Sequence, residues 1–113
     1  MSKRADAQLL ADIKEAAFRT KGYTRTLTYQ RFLRDKKTQD AVVRNLEIIG
    51  EAAKNISDAL KEKYPQVPWK ELAGVRDKLI HHYFGVNLEV VWDIVKQELP
   101  VLVLQLEAIS RAK

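Results

Sequence analysis

Apolar residues recur along the chain at three- and four-residue spacing, which is typical of amphipathic helices. No segment alternates apolar and polar residues as a half-buried strand does. The pattern predicts a short helix over residues 28–34 and main helices over roughly residues 5–20, 35–61, 68–84 and 88–111. We therefore expect an all-α, up-and-down bundle of about four main helices, formed by a single domain over residues 1–113.

Capping and helix-breaking residues set the expected helix boundaries. Thr28 and Asp35 are expected to cap the helices that follow them, because their side-chain oxygens can accept from backbone N–H groups of the first turn. Gly22, within a threonine-rich stretch, is expected to interrupt the first helix. Two prolines in residues 64–68 prevent a helix from continuing there, and Pro100 is expected to kink the last helix.

Two features of the long helices concern their packing. Gly50 interrupts the apolar seam of the second long helix at a cost of about 1 kcal/mol relative to alanine, which indicates close approach of another helix, from this chain or from a second subunit. The last helix carries apolar residues on more than one face. Such surplus apolar surface in a small chain predicts a homodimer.

The positive charge is concentrated in the first part of the chain. The net charge is +5, and residues 1–44 hold eleven Lys or Arg against five acidic residues. Aromatic residues are interleaved with this charge, as in surfaces that bind RNA through phosphate contacts and base stacking. The alternative is a solvated helix end and loop whose aromatic residues lie in the core. The four basic residues that we expect to contact RNA here are Arg31, Arg34, Lys36 and Lys37.

Composition also limits the class of protein. The chain has no cysteine, so it has neither a disulfide framework nor a thiolate metal site. No apolar run reaches the roughly 20 residues that span a bilayer, and the N-terminus lacks the apolar segment of a signal peptide. We expect a cytoplasmic protein without a membrane partner, without a metal site and without a cofactor.

Candidate catalytic residues lie close together in residues 74–85. Asp77 and His81 are four residues apart, so on a helix they share one face and the carboxylate can orient the imidazole. The guanidinium of Arg76 could hold a phosphate. A surface ion pair at a helix end would give the same local pattern. Gly85 stands where the helix is expected to stop.

Arg76, His81 and Tyr83 together form an R-X4-H-X-Y pattern that resembles the motif of HepT-like toxins, which are ribonucleases of the HEPN superfamily. The resemblance covers nearly the whole chain and is clearest over residues 36–106. Four further segments resemble segments of that family in the same order, namely residues 44–54, 68–74, 87–92 and 98–100.

The resemblance implies a metal-independent endoribonuclease whose active site forms at a homodimer interface. It implies that His81 acts as the acid or base, that Arg76 stabilises phosphate charge, and that Asp77 orients the histidine. We expect Lys78 and His82 to contact the RNA; the alternative for His82 is a solvated surface residue, since no partner other than Lys78 lies one turn away from it. The resemblance further implies an MntA-like nucleotidyltransferase antitoxin that transfers AMP to Tyr83.

Two other functions remain open at the level of sequence. The chain could be a non-catalytic helical module that docks a nucleotidyltransferase or a nucleotide, in which case Arg76 and His81 bind phosphate without cleaving RNA. It could also be a purely structural dimeric bundle. The presence of arginine, aspartate, histidine and tyrosine in one short segment favours the ribonuclease, because a scaffold needs none of them together.

Overall fold

The central element of the fold is its longest helix, against which five of the other helices pack. The computed structural model describes residues 4–79 and 85–111. These residues form helices and connecting turns, which confirms the all-α class. The helices are α1 (Asp6–Thr24), α2 (Tyr29–Leu33), α3 (Lys36–Asn55), α4 (Asp58–Lys63), α5 (Trp69–Ala73), α6 (Val75–Leu79), α7 (Leu88–Asp93) and α8 (Leu99–Arg111), with a π-helical turn, Ile94–Glu98, between α7 and α8.

The apolar seam of α3 forms the middle of the core. Its members recur at helical spacing, as the sequence predicts, and all are buried: Val42, Leu46, Ile49 and Ala53. Helix α1 covers one side of α3 with its own buried stripe, while α2, α5, α6 and α7 contact α3 elsewhere. Helix α8 and the π-helical turn pack on α1. None of the helices in residues 4–79 and 85–111 combines the length and hydrophobicity that a bilayer crossing requires.

The predicted caps at Thr28 and Asp35 are confirmed. The Thr28 hydroxyl accepts from the backbone N–H of Arg31 at 3.2 Å, and the Asp35 carboxylate accepts from that of Thr38 at 3.0 Å. A hydrogen bond from the Thr38 hydroxyl is the main cause that lowers the pKa of Asp35. The fold therefore favours the charged carboxylate. The resulting stabilisation of the folded state is fully present when the pH is above the ordinary pKa of aspartate, and it is lost as the pH falls through the lowered pKa of Asp35.

The expected interruption of the first helix at Gly22 is wrong, because α1 continues to Thr24. The hydroxyls of Thr20 and Thr24 are buried and donate to the carbonyls of Ala16 and Thr20, at 2.8 and 2.9 Å. The Lys96 ammonium donates to the carbonyl of Thr24 at 3.0 Å. Tertiary packing thus satisfies the last turn of α1 and outweighs the low helix propensity of this stretch.

The helix expected to run from Asp35 through about Lys61 is divided in two. It ends at Asn55 because Ile56 adopts an extended conformation. Ser57 then caps α4, with its hydroxyl accepting from the backbone N–H of Leu60 at 3.2 Å. The Asp6 carboxylate accepts from the backbone N–H of Ser57 at 2.9 Å, which ties the break to the start of α1. This long-range contact explains why helical periodicity alone did not reveal the break.

The predicted third and last helices are also subdivided, so the structure has more helices than the four expected. Gly74 separates α5 from α6. The last helix passes through the π-helical turn, in which the N–H of Leu99 bonds to the carbonyl of Ile94, five residues back. Pro100 follows directly. In a regular α-helix a proline ring would clash with the carbonyl four residues earlier, and a wider turn relieves such a clash. Gly85 has a φ of +79°, a backbone conformation that favours glycine.

Helices α5 and α6 both approach α3 closely at Gly50. A Cβ atom at this position would lie 2.7 Å from Cγ1 of Val75 and 2.9 Å from the carbonyl oxygen of Leu72. Both distances are shorter than van der Waals contact, so only glycine fits without a shift of the neighbouring helices. The predicted close approach is therefore confirmed, and the approaching segment belongs to the same chain.

We expect Gly50→Ala to lower the free energy of unfolding by about 1–3 kcal/mol, because overpacking outweighs the better helix propensity of alanine. The measurement is urea unfolding followed by circular dichroism. Gly22→Ala is the matched control: Gly22 also lies inside a helix, but a Cβ there meets nothing within 4 Å. It should be neutral or stabilising by up to about 1 kcal/mol. Equal effects of the two substitutions would contradict the packing explanation.

Candidate active site

Arg76 lies at the start of α6, next to the close contact between α6 and α3. Its side chain is 72% exposed, and its Nε lies 3.6 Å from Oε2 of Glu47, whose side chain is 33% exposed. Glu47 precedes Gly50 by about one helical turn, and Arg76 follows Val75, the residue that contacts Gly50. The packing of α6 on α3 thus brings Arg76 beside Glu47 and leaves most of the guanidinium side chain in solvent.

The same contacts indicate the direction of α6. Val75 lies at Gly50, and the next residue, Arg76, lies at Glu47, which is nearer to the N-terminal end of α3. Helix α6 therefore advances toward the end of α3 that begins with Lys36. Helix α7, which follows, contacts that region through Trp92, whose ring centroid is 5.1 Å from that of Phe32.

His81, His82 and Tyr83 lie outside the described residues, so their roles stay predictions. The residues on either side of them are close together. The backbone N–H of Asn87 donates to the carbonyl of Leu79 at 2.8 Å. Asp77 is exposed on α6. Its predicted pairing with His81 cannot be located, because the histidine is not among the described residues.

Lys78 is placed on a different face of α6 from Arg76. Two residues on a helix correspond to a rotation of roughly 200°, and the ammonium of Lys78 lies 3.5 Å from Oε2 of Glu98 in the π-helical turn. The structure therefore does not bring Lys78 together with Arg76. A contact between Lys78 and an RNA held at Arg76 stays a prediction. The RNA would have to pass around α6 to reach both side chains.

The basic residues of α2 and the start of α3 form a second group on the surface. The four residues of this group that are expected to contact RNA are all exposed: Arg31, Arg34, Lys36 and Lys37. The aromatic residues of α2 are less exposed than these charges. Phe32 is fully buried against Trp92, and Tyr29 is half-buried with its ring centroid 5.9 Å from that of Trp92. The charges can thus contact phosphate, whereas Phe32 cannot stack on a base.

Sequence reasoning did not identify Glu47 as a neighbour of Arg76. Glu47 lies within residues 44–54, the segment that resembles the second helix of HepT-like toxins. The resemblance therefore included the segment around Glu47, but not the contact of Glu47 with Arg76. Its contact with Arg76 depends on how α6 packs against α3, and no local spacing encodes that. The same holds for Glu98 and Lys78, which come from elements far apart in the sequence.

Comparison with known protein families gives a match to most of the chain. A family model described as "Ribonuclease HepT-like" matches residues 13–109. The chain belongs to this family. The predicted resemblance to HepT-like toxins is therefore confirmed at the level of the family, and the match includes every element from α2 to α7.

Individual relatives resemble the chain over most of its length. A protein of Methanocaldococcus jannaschii named "Putative RNase" is 50% identical over 98% of this chain and 92% of its own length. A "Probable ribonuclease HepT" of Thermococcus cleftensis is 51% identical over 88% of this chain and 91% of its own. A "Putative RNase" of Caldanaerobacter subterraneus is 48% identical over 74% of each chain. No solved structure matches the chain.

Proposed function

We propose that this HepT-like chain is a metal-independent endoribonuclease and the toxin of a toxin–antitoxin pair. Membership of the ribonuclease HepT-like family is the observation that carries this proposal. The exposed guanidinium of Arg76, five residues before His81, supports it, because phosphate can reach that group. Helix α6 advances toward the N-terminal end of α3. The exposed basic residues at that end supply a path for the RNA backbone.

The proposed reaction uses the ribose of the RNA as the nucleophile. A base removes the proton from the 2′-hydroxyl, the oxygen attacks the adjacent phosphorus, and the bond from phosphorus to the 5′-oxygen breaks as an acid protonates that oxygen. The products are a 2′,3′-cyclic phosphate and a 5′-hydroxyl end. His81 serves as the acid or base, Arg76 stabilises the charge that grows on the phosphate oxygens, and Asp77 orients His81.

We expect Arg76→Ala and His81→Ala each to lower the rate of RNA cleavage at least about 100-fold, because acid–base catalysis and charge stabilisation each contribute on that scale. The assay uses a synthetic RNA in the presence of EDTA and identifies the cyclic phosphate end by mass spectrometry. Lys70→Ala, which removes an exposed charge from α5, is the control and should cleave normally.

Cleavage that survives His81→Ala would refute the assignment of the acid–base residue. If the wild-type protein binds RNA at the basic residues but never cleaves it, the non-catalytic binding module becomes the better account. Thermal unfolding of each variant, measured in parallel, separates a loss of chemistry from a loss of fold.

A homodimer is part of the proposal, because one chain offers one His81 whereas the reaction needs an acid and a base. Two copies related by a two-fold axis would supply two histidines and two arginines to one cleft. The outer face of α8 supports this assembly. Val101 and Leu104 are 54% and 65% exposed, and Ala108 continues the same exposed stripe at helical spacing. Exposed apolar stripes of this kind are typical of helix–helix interfaces.

We expect Leu104→Lys to shift the protein from dimer to monomer in sedimentation velocity and to reduce RNA cleavage, while the circular dichroism spectrum stays helical. The reason is that a buried lysine at a helix interface is costly when it has no partner. Ala59→Lys, at an exposed apolar position on α4, adds the same positive side chain to a different helix and should leave the dimer intact. A dimer that persists in Leu104→Lys would exclude this face as the interface.

The proposed antitoxin is an MntA-like nucleotidyltransferase that transfers AMP from ATP to the hydroxyl of Tyr83, with release of pyrophosphate. The modification would add a negatively charged phosphate two residues from His81, where it would repel the RNA backbone. The family resemblance supports this regulation. It also accounts for a tyrosine at the end of the R-X4-H-X-Y motif, a position with no role in the proposed cleavage step.

We expect incubation with the nucleotidyltransferase and ATP to raise the intact mass of the protein by one or more AMP units and to reduce RNA cleavage. Tyr83→Phe should gain no mass, because it lacks the acceptor hydroxyl, and it should still cleave RNA. Tyr29→Phe is a matched control that leaves the acceptor in place and should be modified normally. Relief of toxicity without any mass change would indicate inhibition by binding instead.

A further inference from the structure

Among the described residues, Glu47 is the carboxylate within ion-pair distance of Arg76. We propose that Glu47 is a positioning residue, which holds the inner edge of the Arg76 guanidinium so that its outer edge faces the substrate phosphate. This inference rests on the proposed ribonuclease function. It adds to the active site a residue from α3, a helix that the R-X4-H-X-Y motif does not include.

The contact involves only one edge of the guanidinium. Glu47 Oε2 lies 3.6 Å from Nε, which exceeds hydrogen-bond distance, so the two groups attract each other by charge without a fixed bond. A guanidinium carries five N–H donors, and four of them are on the two terminal nitrogens. An acid at Nε therefore leaves the terminal donors available to grip a phosphate with two hydrogen bonds.

The packing of two helices fixes the backbone positions from which Glu47 and Arg76 extend. The contact at Gly50 sets the distance between α3 and α6, since neither Val75 nor the carbonyl of Leu72 leaves room for a side chain there. Glu47 is one turn away from this contact on α3, and Arg76 is one residue away on α6. Groups held by rigid elements supply the preorganisation that charge stabilisation in a transition state requires.

Glu47 should affect binding and catalysis in opposite directions. Its negative charge repels the RNA backbone and so weakens substrate binding slightly. Its hold on Arg76 lowers the cost of orienting the guanidinium in the transition state. Removing the charge should therefore lower kcat while KM stays the same or falls. A purely structural ion pair would behave differently. Its loss would change the free energy of unfolding slightly, because an exposed pair contributes little to stability, and would leave kcat and KM unchanged.

The first part of the test is a double-mutant cycle on RNA cleavage by the full chain. We expect Glu47→Gln to lower kcat about tenfold without raising KM, and to have no further effect in the Arg76→Ala background. Glu51→Gln, one turn further along α3 and exposed, is the matched control and should cleave normally. Equal effects of Glu47→Gln with and without Arg76, or a rise in KM alone, would overturn the proposal.

The second part of the test does not depend on activity. The Nε–Hε resonance of Arg76, identified by its loss in Arg76→Lys, should shift in Glu47→Gln and stay unchanged in Glu51→Gln. An unchanged resonance in Glu47→Gln would overturn the positioning role even if cleavage were impaired. If the resonance shifts but the wild-type protein cleaves no RNA, the contact is real and the proposed ribonuclease function is what fails.

Discussion

The close contact between α3 and the α5–α6 segment is the constraint on which the rest of the structure depends. Gly50 has no side chain, and Val75 and the carbonyl of Leu72 occupy the space that one would need. This contact sets the separation of the helices that carry Glu47 and Arg76. A requirement for tight packing in the core thereby determines the geometry of charged groups on the surface, which is where the proposed chemistry takes place.

Features that depend on neighbouring residues were predictable from the sequence. The caps at Thr28 and Asp35 involve a backbone N–H only three residues away, and the seam of α3 follows from helical periodicity alone. Features that depend on contacts between distant residues were not predictable from the sequence. Gly22 remains helical in α1, whose final carbonyl binds Lys96, and the break after Asn55 is held by Asp6. In each case a long-range hydrogen bond outweighs a local preference.

In the candidate site, too, residues of one short segment could be predicted from the sequence, whereas their neighbours from other helices could not. Arg76, Asp77 and His81 are candidates because of their spacing in one short segment and because that segment resembles a family motif. The neighbours of that segment, Glu47 and Glu98, could not be recognised, because their contacts arise from the packing of separate helices. Sequence spacing identifies residues that share an element, whereas the charged groups that pair with them here come from other elements.

Asn87 makes two hydrogen bonds that join α6 to α7. Its side chain caps α7 by accepting from the backbone N–H of Val90, and its own N–H donates to the carbonyl of Leu79. The residue that starts α7 is therefore also the residue that holds the end of α6. The two helices on either side of residues 80–84 are thus anchored to each other, and a substitution at Asn87 that removes the cap would loosen α7 at the point where it meets α6.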